Sequence, residues 1–188
     1  MPRQQASNIE PLKQRPTFIA MKGFPGMGKS YVAGELARAL RWPLIDKDDV
    51  LERLRPLVGE GEWWEDVKGA AYDIVWSVAR RQLSAGVSVI ADVTMMQERS
   101  YIEARRVATD NSARFFVVET VLDKAEWFAR LAKRHADEPT SYKSLSGERV
   151  ERLLRENPSY SIDQAHHLQL DARKPVNELV AIVQERLR

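Results

Sequence analysis

Residues 23–30 read Gly-Phe-Pro-Gly-Met-Gly-Lys-Ser. The spacing is that of a G-x-x-x-x-G-K-[ST] phosphate-binding loop, and each position has a chemical reason. Glycines let backbone N–H groups close on phosphate oxygens, Lys29 reaches the β- and γ-phosphates, and the Ser30 hydroxyl sits on Mg²⁺. The flanks supply the setting that such a loop requires. Thr17-Phe18-Ile19-Ala20-Met21 is a short, mostly apolar run and reads as a buried strand, while Val32, Leu36 and Leu40 recur at helical spacing just after it. Strand, glycine loop and helix together point to a nucleoside triphosphate. Its cradle comprises Gly23, Phe24, Pro25, Gly26, Met27, Gly28, Lys29, Ser30 and Tyr31.

The chain of 188 residues suits one domain with a substantial core. There is no cysteine, hence no disulfide framework and no thiolate metal site, which agrees with a reducing cytoplasm. No segment approaches the apolar length of a membrane span, and the polar start lacks the apolar core of a secretory signal. The formal net charge is +2, with a pI near 8.9. A dedicated nucleic-acid binder usually carries a stronger imbalance or a basic stripe. Composition therefore neither demands nor excludes a polyanionic substrate.

Residues 1–16, with Pro2, Pro11 and Pro16, read as a flexible N-terminal arm, and residues 17–188 as a single domain. After the first strand and helix, residues 42–46 read as a second strand and 48–56 as a short helix. Residues 62–83 form a long helix with Trp63, Val67, Ala70, Ala71, Ile74, Val75 and Val78 on one face. A third strand covers 87–92, a helix 97–109, a fourth strand 114–121 and a helix 124–135. Residues 137–146 are polar and irregular. A helix over 147–156, a strand over 168–171 and a helix over 176–187 complete the pattern. Strands alternating with helices predict a parallel sheet covered on both faces. Right-handed crossovers then bring the carboxyl ends of all strands to one edge, where ligands bind. The phosphate loop, the Asp46-Lys47-Asp48-Asp49 cluster, and Asp92 with Thr94 are expected to converge there.

Asp92 ends an apolar strand and fits a direct or water-mediated Mg²⁺ ligand beside Ser30. Asp48 is favoured as the base that accepts a proton from an attacking hydroxyl. The alternative for Asp48 or Asp49 is to cap the following helix. Arg130 and Arg134 stand four apart, on one helix face leading into the polar stretch, and guanidinium groups on a lid near 130–147 can stabilise a transferring phosphoryl group. A solvated basic face is the competing explanation. Tyr72, Trp63, Trp64 and Trp76 are candidates for an acceptor pocket, although helix core is favoured for Trp63 and Trp76. Leu145-Ser146-Gly147-Glu148 is similar to a transporter ATPase signature but follows Asp92 instead of preceding it, and no Asn-Lys-x-Asp guanine-reading motif occurs. His135, His166 and His167 lack metal-ligand spacing.

Four segments in order carry a resemblance: Gly-Phe-Pro-Gly-Met-Gly-Lys-Ser; Leu-Ile-Asp-Lys-Asp-Asp-Val; Val-Ile-Ala-Asp-Val-Thr followed by Glu98 and Arg99; and Phe-Ala-Arg-Leu-Ala-Lys-Arg. Together they resemble the P-loop kinases related to bacteriophage polynucleotide kinase, a group that includes gluconate kinase, chloramphenicol phosphotransferase and the zeta-type toxins. The resemblance spans roughly residues 17–156 and implies a three-layer α/β/α fold with a five-stranded parallel sheet, and ATP and Mg²⁺ as cofactors. It places the general base on Asp48, the phosphate lysine on Lys29, the magnesium ligands on Ser30 and Asp92, and the lid arginines on Arg130 and Arg134. The polynucleotide kinases carry an arginine three residues after the base, where this chain has Leu51; Arg53 and Arg55 are the nearest substitutes. With Glu60, Glu62, Glu65 and Asp66 close by, that departure disfavours a nucleic-acid acceptor. Position 31 is Tyr where the group usually has a second Ser or Thr.

The expectation is an ATP-dependent kinase that moves the γ-phosphate to a hydroxyl of a small-molecule or nucleotide-type acceptor. Two other classes are a nucleotide-regulated binding protein or NTPase without an acceptor, and a toxin that phosphorylates a nucleotide sugar.

Overall fold

The computed structural model describes residues 15–58, 64–137 and 145–188, with the backbone alone for Val58, Trp64 and Glu65. Most of the arm, Glu60, Glu62, Trp63 and the core of the polar stretch lie outside the described residues. The elements are β1 (Thr17–Lys22), α1 (Lys29–Leu40), β2 (Leu44–Asp46), α2 (Lys47–Val58), α3 (Trp64–Ser84) and β3 (Val89–Asp92). They continue with α4 (Glu98–Asp110), β4 (Arg114–Val121), α5 (Lys124–Asp137), α6 (Gly147–Glu156), β5 (His167–Asp171) and α7 (Val176–Leu187).

The strands form one parallel sheet in the order β2-β3-β1-β4-β5. A strand alternates its side chains between faces, so a sheet covered on both sides needs apolar residues at every position. β1 meets that demand. Phe18 and Ala20 pack with Val75, Trp76, Ala79 and Leu83 of α3 and with Ala104 and Val107 of α4. Ile19 and Met21 face the other way, among Val32 and Leu36 of α1 and Leu179 and Val183 of α7. The result is the expected three-layer α/β/α architecture. Among the described residues, no helix is long and apolar enough to cross a membrane.

Two expectations need correction. β2 begins at Leu44 rather than Trp42. Pro43 has no N–H to donate to a ladder, although its carbonyl still accepts the Ile90 N–H at 3.0 Å. On α3, Ala70, Ile74 and Val78 are exposed, and the buried stripe is Ala71, Val75, Trp76, Ala79 and Leu83. Two apolar rows run along this helix at four-residue spacing. The row that continues through Ala79 and Leu83 reaches the sheet, while the row through Ile74 and Val78 ends at the polar Gln82.

Candidate active site

Because all five strands are parallel, the loops leaving β1, β2 and β3 emerge on one edge. The phosphate loop is shaped by its glycines at two places in particular. Gly28 adopts φ 83° immediately before α1, a left-handed conformation that costs an L-residue but not glycine. Gly26, at φ 86°, lies so close to α5 that an added Cβ would stand 2.7 Å from Leu131 Cδ2. The same helix grips the loop twice more: Trp127 Nε1 donates to the Pro25 carbonyl at 2.7 Å, and the Trp127 ring stacks obliquely on Phe24 at 5.3 Å. Met27 completes the contact within a small apolar cluster that also holds Leu131, Leu145 and Val150.

Lys29 is buried and folds back on the loop, its Nζ donating to the Phe24 carbonyl at 3.3 Å. Burial lowers its pKa, against the raising influence of Asp92 and Asp48. A lysine held this way gains a strong partner when a phosphate arrives. Ser30, one residue on, hydrogen-bonds the Asp92 carboxylate. Asp92 is almost completely buried and its Oδ2 has no hydrogen-bond partner. Burial raises its pKa, opposed by Lys29 and Ser30. An orphaned buried carboxylate oxygen beside a serine hydroxyl is a donor pair suited to Mg²⁺, which takes one or two protein oxygens and completes its shell with phosphate and water. Among the described residues no group of three or more His, Cys, Asp or Glu side chains could hold a metal unaided.

The β2–β3 register sets Asp46 opposite Asp92. Asp46 accepts the Asp48 N–H at 2.8 Å and so caps α2, the role expected of Asp48 or Asp49. Burial pushes the Asp46 pKa up to about 6, with the Asp92 carboxylate adding to the effect and the Asp48 N–H opposing it. Asp48 is the second residue of α2. Its carboxylate takes a 2.6 Å ion pair from Lys47, whose Nζ also lies 5.8 Å from the Tyr72 ring centre. The Tyr72 hydroxyl and Thr94 Oγ1 are 2.7 Å apart. Thr94 also accepts the Gly23 N–H through its carbonyl at 3.2 Å, tying the β3 exit to the loop. Met95 follows in a left-handed conformation, φ 45°, and its carbonyl accepts the Tyr160 hydroxyl at 2.7 Å. That bond holds a strained residue in place and aims its neighbours Thr94 and Met96 into the cleft.

Two cavities flank the loop, and Gly28 and Tyr31 line both. The smaller, about 400 Å³, lies between α1 and the β5–α7 connection, bounded by Arg130, Ala172, Arg173, Pro175 and Leu179. The larger, about 630 Å³, opens over Lys29, Ser30, Asp48, Leu51, Tyr72 and Thr94. The two arginines of α5 therefore part company. Arg130 pairs with Glu126 at 3.0 Å, donates to the Ala172 carbonyl at 3.1 Å and faces the smaller cavity, whereas Arg134 lines the larger one. Leu51 is buried in the wall of the larger cleft, and neither Arg53 nor Arg55 is among the residues lining it. Trp76 is core, whereas Tyr72 reaches the cleft.

Sequence reasoning overlooked Lys68, Gln97, Arg149 and Asn157 in the larger cleft and Arg173 in the smaller. Arg149 had a visible signal. It opens a strongly amphipathic helix, and Ser146, discounted as part of a transporter signature, caps that helix by accepting the Arg149 N–H.

No curated protein matches the sequence. The fold is similar to a kinase candidate from Chloroflexus aurantiacus, at 21% identity and TM-score 0.76, over 93% of this chain and 97% of that one. It is also similar to APS kinase of Mycobacterium tuberculosis in complex with AMPPNP and APS, at 18% identity and TM-score 0.67, over 92% and 98% of the two chains. A gluconokinase of Sinorhizobium meliloti follows at 16% identity and TM-score 0.62, over 93% of each chain. These likenesses establish a P-loop NTPase fold. A family profile described as AAA domain matches residues 18–174. Covering most of the chain and all five strands, that match makes this protein a member of the AAA domain family.

Proposed function

We propose that this protein is an ATP-dependent kinase that transfers the γ-phosphate to a hydroxyl of a small acceptor. What carries the reading is one juxtaposition. The phosphate lysine Lys29, Ser30, whose hydroxyl bonds the buried Asp92 behind it, and the Lys47-paired Asp48 border a single cleft that is large enough for a second substrate.

In this reading the nucleoside occupies the smaller cavity against Pro175 and Leu179, with Arg130 and Arg173 at its rim, and the triphosphate runs along residues 23–30. Tyr31, 64% exposed between the two cavities, is free to pack against the nucleotide. Ser30 and Asp92 would hold Mg²⁺, which supplies positive charge against the β- and γ-oxygens. Asp48 orients the acceptor hydroxyl and takes its proton. The acceptor oxygen forms the new P–O bond as the bond to the β-phosphate oxygen breaks, and ADP leaves with the displaced electron pair. Lys29 and Arg134 neutralise the charge that develops on the transferring group. In this scheme the lid near residues 130–147 contributes Arg134 and Leu145 to the wall of the cleft, and residues 138–144 lie outside the described residues.

The test is phosphate transfer from γ-labelled ATP to a panel of nucleosides, 5′-hydroxyl oligonucleotides, sugars and aminoglycosides. Transfer to at least one acceptor, abolished by Lys29→Ala, is expected. Acceptor-independent phosphate release that no panel member alters would replace the kinase reading with a simple NTPase.

A further inference from the structure

Among the described residues, three other than glycine adopt a positive φ: Arg41, Met95 and Ser112. Arg41 ends α1 and Ser112 lies in the turn between α4 and β4, and both are exposed. Met95 is different. It is fully buried, it carries a long side chain, and it lies between β3 and α4 on the edge of the sheet that bears the site. At φ 45° its backbone is in the left-handed region, which costs an L-residue, so its surroundings must hold it there.

The hold comes from outside the cleft. Tyr160 stands on the connection from α6 to β5 and is not among the residues lining the larger cavity. Its hydroxyl donates to the Met95 carbonyl at 2.7 Å. The ring is itself fixed on two sides, with the Tyr101 ring 6.1 Å away and Lys22 Nζ 5.4 Å from its centre. Lys22 is paired with the Glu119 carboxylate, which also lies 2.8 Å from His167 Nε2 and accepts from Gln169 Nε2 at 3.0 Å. Tyr160 is thereby tied to β1, β4 and β5. Burial pushes its pKa up, and the Glu119 carboxylate adds to the effect, so the hydroxyl keeps its proton and remains a donor at any working pH.

What this bond controls lies one residue back. The Thr94–Met95 peptide is planar, so a rotation about the N–Cα bond of Met95 turns the Thr94 carbonyl with it. That carbonyl accepts the Gly23 N–H at 3.2 Å, at the root of the phosphate loop. The Thr94 hydroxyl is 2.7 Å from the Tyr72 hydroxyl, on the wall of the larger cleft. A return of Met95 to an ordinary negative φ would swing the carbonyl off Gly23 and draw Thr94 away from Tyr72. One backbone dihedral therefore sets both sides of the site.

We infer that Tyr160 is a positioning residue: by holding Met95 left-handed it keeps Thr94 on Gly23 and on Tyr72 at once, and so fixes the acceptor wall relative to the phosphate loop. The word acceptor rests on the kinase reading, whereas the hold on Gly23 stands without it.

Tyr160→Phe removes the hydroxyl and leaves the ring on Lys22 and Tyr101. Amide hydrogen exchange, followed by NMR in the free protein, reads the result at Gly23. The Met27 N–H, bonded to the Phe24 carbonyl at 3.2 Å in the same loop, is the internal standard. Gly23 is expected to exchange about five-fold faster or more in the variant, as the loss of one hydrogen bond implies, and Met27 at the parent rate. Unchanged exchange at Gly23, or equal acceleration at both amides, overturns the inference. Met95→Gly supplies a residue that takes φ 45° without help. In that background, removing the Tyr160 hydroxyl should leave Gly23 exchange within about two-fold, and an undiminished effect overturns the inference. Should Met95→Gly fail to fold, the comparison of Gly23 with Met27 decides alone. With an acceptor from the panel, Tyr160→Phe should lower kcat about ten-fold and leave the KM for ATP within about three-fold, since a misplaced acceptor loses rate while the donor still binds. Normal kinetics, or a raised KM for ATP with kcat kept, overturns the inference. Absence of transfer to any acceptor, with Gly23 responding as described, overturns the kinase reading and leaves the hold on Gly23 standing.

Discussion

The two cavities on either side of Gly28 are built in different ways. The smaller draws on α1 and the β5–α7 connection, plus one guanidinium braced on a backbone carbonyl. The larger gathers side chains from α1, α2, α3, the β3–α4 connection, α4, α5 and α6. One is a groove made by local chain geometry, and in the proposed reading it takes the nucleoside. The other is assembled from seven places, so a change in any one alters its shape or charge without touching the rest. The difference separates what the scaffold fixes from what a particular sequence chooses. In the proposed kinase, donor binding would rest on the loop and its flanks, and acceptor choice on distant helices.

The largest effect that can break this division falls on Lys29. Lys29→Ala should cost about 10³-fold or more in turnover, because both the donor and the transition state lose their main cation. A labelled-ATP assay that finds near-normal transfer would show that the loop does not do this job. Asp48→Asn comes next. It should lower kcat by about 10²–10⁴-fold while leaving ATP affinity intact, since it touches only the second cavity. Loss of ATP binding in parallel would mean that the two cavities are not separable.

The α5 arginines sharpen the comparison further. Arg134→Gln should reduce kcat by about ten-fold to a hundred-fold with little change in the KM for ATP. Arg130→Gln, on the other cavity, should mainly raise that KM. Steady-state kinetics giving both variants the same signature would return the pair to a single role.

The smallest effect concerns Asp46 and pH. Its pKa is raised to about 6 in the folded state, from an ordinary carboxylate value of 3.8. The folded protein therefore binds this proton more tightly than the unfolded chain does between those values, so the group favours folding below about 4. That contribution is lost as the pH rises through 6. Asp46→Asn keeps a capping side chain and removes the charge. Thermal melts should find the variant gaining on the parent as pH rises from 4 to 7, with no further gain above. An unchanged difference across that range would mean that Asp46 is not held protonated by its surroundings.

Most of the scaffold was legible in the sequence because it follows from local periodicity. The strand before the loop, the helix after it and the alternation along the chain each leave a mark within about ten residues. The convergence of Asp48, Thr94 and Arg134 on one cleft could be read as well, because a parallel sheet turns chain order into position. What escaped had no local mark. Two apolar rows on α3 satisfy the same helical spacing, and only packing against the sheet decides between them. Asp46 and not Asp48 caps α2 because β2 ends one residue before the helix begins, a boundary that periodicity does not resolve. Lys68 and Arg149 look like ordinary solvated charges until the fold brings their helices to the same wall.

The contact between Trp127 and the phosphate loop has an optical consequence. Its indole N–H is bonded to Pro25, and its ring lies on Phe24, so any tightening of residues 23–28 around a phosphate moves the surroundings of a natural fluorophore. The chain contains five tryptophans, but among those whose side chains are described only Trp127 joins the loop to the helix that carries both arginines. Emission from the parent, less that of Trp127→Phe, should report loop occupancy in real time without a label. Stopped-flow records of that signal would time nucleotide arrival independently of any acceptor.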